Sequence, residues 1–119
     1  MMPGGIPAIS VRDAAAEVEA GAALIVDVRE RDEFATERVP GVALIPLSEF
    51  VARHQELPKD RPLLMMCAAG SRSQSATMYL IQSGWPDVRN VVGGIHAWRA
   101  AGLPTTSGAP APGEGELSR

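Results

Sequence analysis

The residues best suited to chemistry are a cysteine and the short loop that follows it. They are Cys67, Ala68, Ala69, Gly70, Ser71, Arg72 and Ser73. Small side chains and a glycine let such a loop curl until successive backbone N–H groups point at one spot and form an anion-binding nest. A thiol in this nest, beside an arginine and a helix N-terminus, ionises more readily than a free cysteine. The sequence therefore predicts a nucleophilic thiolate at Cys67.

The polar residues of the loop are expected to support that thiolate. Arg72 carries a permanent positive charge on a fork of donors, which suits a small oxyanion or an anionic sulfur donor. Ser73 is expected to cap the helix that follows. Cys67 is the only cysteine, so an internal disulfide and a multi-thiolate metal site are excluded. A lone cysteine after an apolar strand is usually a buried hydrophobe, but its glycine, serine and arginine neighbours favour reactivity here.

The size and charge of the chain narrow the possible classes of protein. A length of 119 residues fits one domain. The net charge of -3 gives no broad positive field for nucleic acid. The longest apolar run, 63–69, is too short to span a bilayer. The N-terminus lacks the features of a secretory signal, so we expect a cytoplasmic protein without nucleic-acid or membrane partners.

The elements that must position the loop alternate between strands and helices. Apolar runs predict strands over 23–27, 42–45, 63–66 and 88–92. Helical spacing and capping residues predict a first helix from 11 to a stop at 21, then helices over 31–37, 47–53, 73–83 and 95–101. Such alternation predicts a parallel sheet with helices on both faces. Cys67 then lies at the carboxyl end of a strand, where α/β sheets usually bind ligands.

The two ends of the chain differ from the middle. Residues 1–7 are predicted to form an N-terminal extension and residues 8–104 the folded domain. The tail, 105–119, is rich in Pro, Gly, Ala and Ser and has only Leu117 to bury. We therefore expect it to be disordered.

The loop sequence C-A-A-G-S-R-S resembles the active-site loop of the rhodanese family, C-x-x-G-x-R-S. Three other stretches resemble that family in the same order along residues 8–104. They are D-V-R-E with E-F at 27–34, P-G-V at 40–42, and G-G-I-H-A-W at 93–98 followed by G-L-P at 102–104. The chain is therefore similar to a single-domain rhodanese-like sulfurtransferase.

This resemblance implies both a fold and a reaction. The fold is a three-layer α/β/α arrangement around a five-stranded parallel sheet. In the reaction, Cys67 takes sulfane sulfur from thiosulfate or a persulfide donor and holds it as a persulfide stabilised by the loop N–H groups. The sulfur then passes to cyanide, a thiol or the cysteine of a partner protein. No metal or organic cofactor is expected.

Four residues in or near the loop have expected roles of their own. Asp27 either hydrogen-bonds the catalytic loop or caps a helix. Arg29 is spaced for an i,i+4 ion pair with Glu33 of mainly structural value. Arg38 replaces the usual histidine of the family and is expected at the pocket rim at most. Ala68 replaces a residue that is often basic in thiosulfate-using relatives, so a preference for thiosulfate is less secure than persulfide chemistry.

The two histidines, His54 and His96, are expected on the surface rather than as general bases, because an ionised thiol needs no base.

Two other functions remain open from the sequence. A cysteine-loop phosphatase or arsenate reductase also combines a thiolate with an arginine, but usually with about five residues between them, whereas this chain has four. A sulfur-relay or binding module that docks on one partner without turnover would carry the same loop.

Overall fold

A computed structural model describes residues 5–117 of the chain. The strands are β1 (Ala8–Ile9), β2 (Leu24–Asp27), β3 (Ala43–Leu44), β4 (Leu63–Met66) and β5 (Val88–Val91). They form one five-stranded, all-parallel sheet in the order β1-β5-β4-β2-β3. The predicted five-stranded parallel α/β fold is therefore confirmed. The apolar pattern missed β1, because it has only two residues and one of them is exposed.

Within residues 5–117, five helices cover the two faces of the sheet. They are α1 (Val11–Glu19), α2 (Arg31–Thr36), α3 (Leu47–Arg53), α4 (Ser71–Gln82) and α5 (Gly94–Ala100), and a 3₁₀ turn (His54–Glu56) follows α3. Successive side chains of a strand point to opposite faces, so Leu64 and Met66 pack in one core cluster and Leu63 and Met65 in the other. Because all four are 0% exposed, the strand that leads into the cysteine loop is held firmly on both sides.

The predicted tail is ordered as far as the structure describes it. Thr106 pairs with Arg38 in an antiparallel bridge whose two backbone hydrogen bonds are each 2.8 Å long. Farther along, the carbonyl of Gly115 accepts a 2.7 Å hydrogen bond from the N–H of Leu44, on the edge strand β3. The prediction of disorder is thus wrong for residues 105–117, because backbone pairing and a buried arginine hold a segment with few apolar side chains. Residues 118–119 lie outside the described part.

Four residues of the predicted N-terminal extension, 1–4, also lie outside the described part. Pro7 accepts a 2.8 Å hydrogen bond from the N–H of Asn90, so the chain joins the sheet edge just before β1. Among residues 5–117, none of the helices has both the length and the apolar character needed to cross a bilayer.

Candidate active site

Cys67 follows the last residue of β4, and α4 begins four residues later. The neighbouring strand β2 ends at the same level, where Asp27 pairs in register with Met66. The loop therefore lies at the carboxyl edge of the sheet, as predicted. Cys67 itself is only 1% exposed, so the thiol sits beneath the loop rather than on the surface.

The loop wraps around the sulfur. The N–H of Gly70 donates to Cys67 Sγ at 3.1 Å, and the Ser73 hydroxyl lies 3.3 Å from the same atom. Gly70 has a φ of 110°, a left-handed conformation that glycine adopts without strain. Burial is the largest influence on the thiol and raises the pKa of Cys67. Hydrogen bonds from the Ser73 hydroxyl and from the N–H groups of Ser73, Gly70 and Ala69 outweigh burial, so the pKa is lowered overall.

Ser73 does not cap α4, contrary to the prediction. The helix starts two residues earlier than expected, at Ser71, and Gly70 occupies the N-cap position. The fully buried Ser73 hydroxyl instead donates to Asn90 Oδ1 at 2.6 Å. Asn90 Nδ2 in turn donates to the carbonyl of Gly70 at 3.2 Å. Sequence reasoning missed Asn90, although a polar residue inside the apolar strand β5 was a visible signal.

The start of α5 supports the loop from behind. The N–H groups of Ile95 and His96 donate to the carbonyls of Cys67 and Ala68 at 2.9 and 3.1 Å. This approach is possible only because residue 94 is glycine, since a Cβ atom there would lie 2.3 Å from the Cys67 carbonyl oxygen. The G-G stretch was noted in the sequence only as a motif, and its contact with the loop was not predicted.

Arg72 forms a two-pronged ion pair with Glu33 of α2. Its Nη1 and Nη2 atoms donate to the two carboxylate oxygens of Glu33 at 2.7 and 2.9 Å. This pairing with Arg72 is the main reason that the pKa of Glu33 falls to about 2. Arg29 contacts only the backbone carbonyl of Glu33, at 3.4 Å, so the predicted Arg29–Glu33 ion pair is wrong.

Comparison with known proteins agrees with this geometry. The family model of the rhodanese-like domain matches residues 10–101. The chain belongs to the rhodanese-like domain family. It is 41% identical over 81 residues, 68% of this chain and 76% of the relative, to a protein of Allochromatium vinosum named sulfurtransferase. It is 33% identical over 96 residues, 81% of this chain and 91% of the relative, to the thiosulfate sulfurtransferase GlpE of Vibrio cholerae.

Solved structures support the same assignment. The crystal structure of a rhodanese-related protein from Thermoplasma volcanium matches with a TM-score of 0.78 and 30% identity, over 84% of this chain and 97% of that one. Taken with the named relatives, this match supports sulfur transfer as the general activity of the chain.

In this rhodanese domain, Asp27 and Arg29 form a buried ion pair at the carboxyl end of β2. The Asp27 carboxylate accepts from the backbone N–H and the guanidinium of Arg29, the shortest contact being 2.8 Å. Arg29 also donates to the carbonyl of Glu37 at 2.8 Å. Asp27 therefore neither hydrogen-bonds the loop nor caps a helix. Together with Arg29 it anchors the C-terminal end of α2, the helix that carries Glu33.

The structure also corrects the predictions for Arg38 and His54, which lie outside the rhodanese loop. Arg38 is buried, pairs with Glu114 of the tail and lies over the ring of Phe34, so it does not line the pocket rim. His54 is 8% exposed and packs edge-on against Tyr79 with ring centroids 5.0 Å apart. The expectation of a surface position is wrong for His54 and right for His96, which is exposed.

Proposed function

We propose that this chain transfers sulfane sulfur through a persulfide on Cys67. The donor is thiosulfate or a persulfide, and the acceptor is a thiophile such as cyanide, a low-molecular-weight thiol or the cysteine of a partner protein. The observation that carries the proposal is the 3.1 Å hydrogen bond from the Gly70 N–H to Cys67 Sγ. It supports a sulfur that bears negative charge at the carboxyl end of β4.

In the first half-reaction, the Cys67 thiolate attacks the outer sulfur of the donor. With thiosulfate, a new S–S bond forms on Cys67, the S–S bond of the donor breaks, and sulfite leaves with the electron pair. With a protonated persulfide, the same attack leaves a thiolate and a Cys67 persulfide. In the second half-reaction, the acceptor attacks the outer sulfur and restores the Cys67 thiolate, so cyanide leaves as thiocyanate.

The loop is suited to stabilise a Cys67 persulfide whose outer sulfur carries a negative charge. Backbone N–H groups are preorganised donors that need no reorientation during the reaction. The rim residues Ala68, Ala69 and Ser71 have small side chains, and two of them are exposed. Because Cys67 is 1% exposed, the donor reaches the sulfur only when the residues that cover it move locally.

The test is the intact mass of the purified protein after incubation with thiosulfate or with 2-hydroxyethyl persulfide. We expect a gain of one sulfur atom that cyanide or an added thiol removes. Cys67→Ser should gain no sulfur, whereas Ser75→Ala, an exposed serine of α4, should gain it as the wild type does. An unchanged mass with both donors would overturn the proposal.

Among the contacts described for residues 5–117, none supports the phosphatase alternative. Its chemistry requires an arginine that holds a tetrahedral oxyanion over the thiolate, but Arg72 is bound on two nitrogens by Glu33. The phosphatase function would be supported if the protein hydrolysed a chromogenic phosphate ester and Cys67→Ser abolished that hydrolysis.

A further inference from the structure

Arg72 is the only cation of the cysteine loop, and its guanidinium is already occupied. Both contacts to Glu33 are short, and the two side chains are about one-third exposed, 34% for Arg72 and 33% for Glu33. A planar guanidinium that binds one carboxylate through Nη1 and Nη2 has two of its donors occupied and its positive charge largely neutralised. An incoming dianion therefore meets a neutralised pair rather than a free positive charge.

Glu33 is held in place by contacts on α2. Its Oε1 atom accepts a 3.0 Å hydrogen bond from the N–H of Glu30 at the start of the helix. At the other end, Arg29 binds the carbonyl of Glu37 while its own position is set by Asp27. The carboxylate thus faces Arg72 from a fixed helix, and turning away would cost it the Glu30 contact as well.

The cleft beside Ala68 adds further negative charge. Its lining includes the carboxylates of Asp32, Glu33 and Glu37 and the guanidinium groups of Arg29 and Arg99. Arg29 is already paired with Asp27. Glu37 is paired with Arg99 at 2.7 Å, whereas the exposed carboxylate of Asp32 has no ion-pair or hydrogen-bond partner among residues 5–117. The approach to the loop on this side is therefore slightly acidic, which opposes a doubly charged anion more than a singly charged one.

We propose, on the basis of the sulfur-transfer function above, that Glu33 is a specificity-determining residue of the site. By binding Arg72 it directs Cys67 toward sulfur donors that carry at most one negative charge and disfavours the thiosulfate dianion. Glu33 acts through Arg72 and does not contact the reacting sulfur, so it is a positioning residue.

The test compares the rates at which thiosulfate and 2-hydroxyethyl persulfide load sulfur onto Cys67 in single-turnover experiments followed by intact mass. The ratio of the two rates is the readout, because a general loss of folding or thiol reactivity lowers both rates. Glu33→Gln keeps an oxygen that can accept from the Glu30 N–H but removes the charge. We expect it to raise the thiosulfate-to-persulfide ratio about tenfold at low salt, and less at high salt.

Two further variants test whether Arg72 transmits the effect. Arg72→Ala alone should lower the ratio, because it removes the only cation of the cysteine loop. In the Arg72→Ala background, Glu33→Gln should produce much less than its tenfold gain. Glu33→Asp is a second variant at the same position, and its shorter carboxylate, unable to bind both nitrogens equally well, should raise the ratio by a smaller factor.

Glu17→Gln is the matched control. It removes one carboxylate from an arginine pair of similar exposure, the 2.9 Å contact with Arg89, at the start of β5 rather than at its carboxyl end. The ratio should not change. If Glu33→Gln leaves the ratio unchanged while both donors load the wild type, or if its gain persists in full without Arg72, the inference fails and the proposed function stands. If neither donor loads the wild type, the proposed function fails and the inference fails with it.

Discussion

The hydroxyl oxygen of Ser73 lies 2.6 Å from Oδ1 of Asn90. The same oxygen is 3.3 Å from the sulfur of Cys67, and a hydroxyl group has a single proton to donate. Asn90, the sulfur and the carbonyl of Gly70, which lies 3.2 Å away, therefore compete for that proton. Hydrogen bonds to ionised acceptors are the stronger kind, so ionisation of Cys67 draws the proton toward the sulfur.

This relationship predicts that Ser73→Ala raises the pKa of the Cys67 thiol. A hydrogen bond to the ionised sulfur favours the thiolate, and Ser73→Ala removes that bond, so we expect the pKa of Cys67 to rise. The measurement is the ultraviolet absorbance of the thiolate as a function of pH, which is unambiguous because the chain has one cysteine. Ser75→Ala is the control, and an unchanged midpoint in Ser73→Ala would contradict this role.

Gly94→Ala should be among the most destabilising single substitutions near the site. The new Cβ would lie 2.3 and 2.6 Å from the carbonyl oxygens of Cys67 and Ala68, at a φ of +57°. Gly41→Ala is a matched control, because Gly41 also has a positive φ, +81°, but open space around it. Urea unfolding should show a loss of about 1 kcal/mol for the control and about 2 kcal/mol more for Gly94→Ala. Equal losses would show that the close approach to the loop is unimportant.

Glu114→Gln should destabilise the domain and loosen the tail. The carboxylate of Glu114 pairs with Arg38, whose side chain is 4% exposed, and removal of one partner leaves a buried charge poorly compensated. We expect a lower urea midpoint and faster proteolytic cleavage within 107–117. Glu116→Gln, at an exposed position of the same tail, should change neither. A tail that is cleaved at the same rate in both variants would show that the ion pair does not hold it.

The ion pair of Glu33 predicts a pH dependence of stability. Because the hydrogen bonds from Arg72 lower the pKa of Glu33 from 4.5 to about 2 in the folded chain, its stabilising contribution is complete above pH 4.5. It is lost as the pH falls from there toward 2. The unfolding free energy of the wild type should therefore fall more steeply over this range than that of Glu33→Gln. Urea titrations at several pH values would measure both slopes, and parallel curves would contradict the assignment.

The sequence by itself determined the features that depend on neighbouring residues. The nest is built from seven consecutive residues, so its small side chains, its glycine and its position after an apolar strand could be recognised without a fold. The start of the first helix at residue 11 was predicted correctly for the same reason, since the residue before it, Ser10, accepts from the N–H of Asp13 three residues later. The roles of Cys67 and its loop in sulfur transfer remain predictions that the proposed experiments test.

Only the tertiary structure decided which distant groups meet. Arg72 binds a carboxylate 39 positions away, Ser73 binds an amide 17 positions away, and Arg38 binds a carboxylate 76 positions away. A long charged side chain can reach several partners, and the choice among them depends on strand order and on how each helix docks. Local spacing therefore predicted an ion pair between Arg29 and Glu33 and a disordered tail. In the folded domain, Glu33 instead binds Arg72, and the tail binds the buried Arg38.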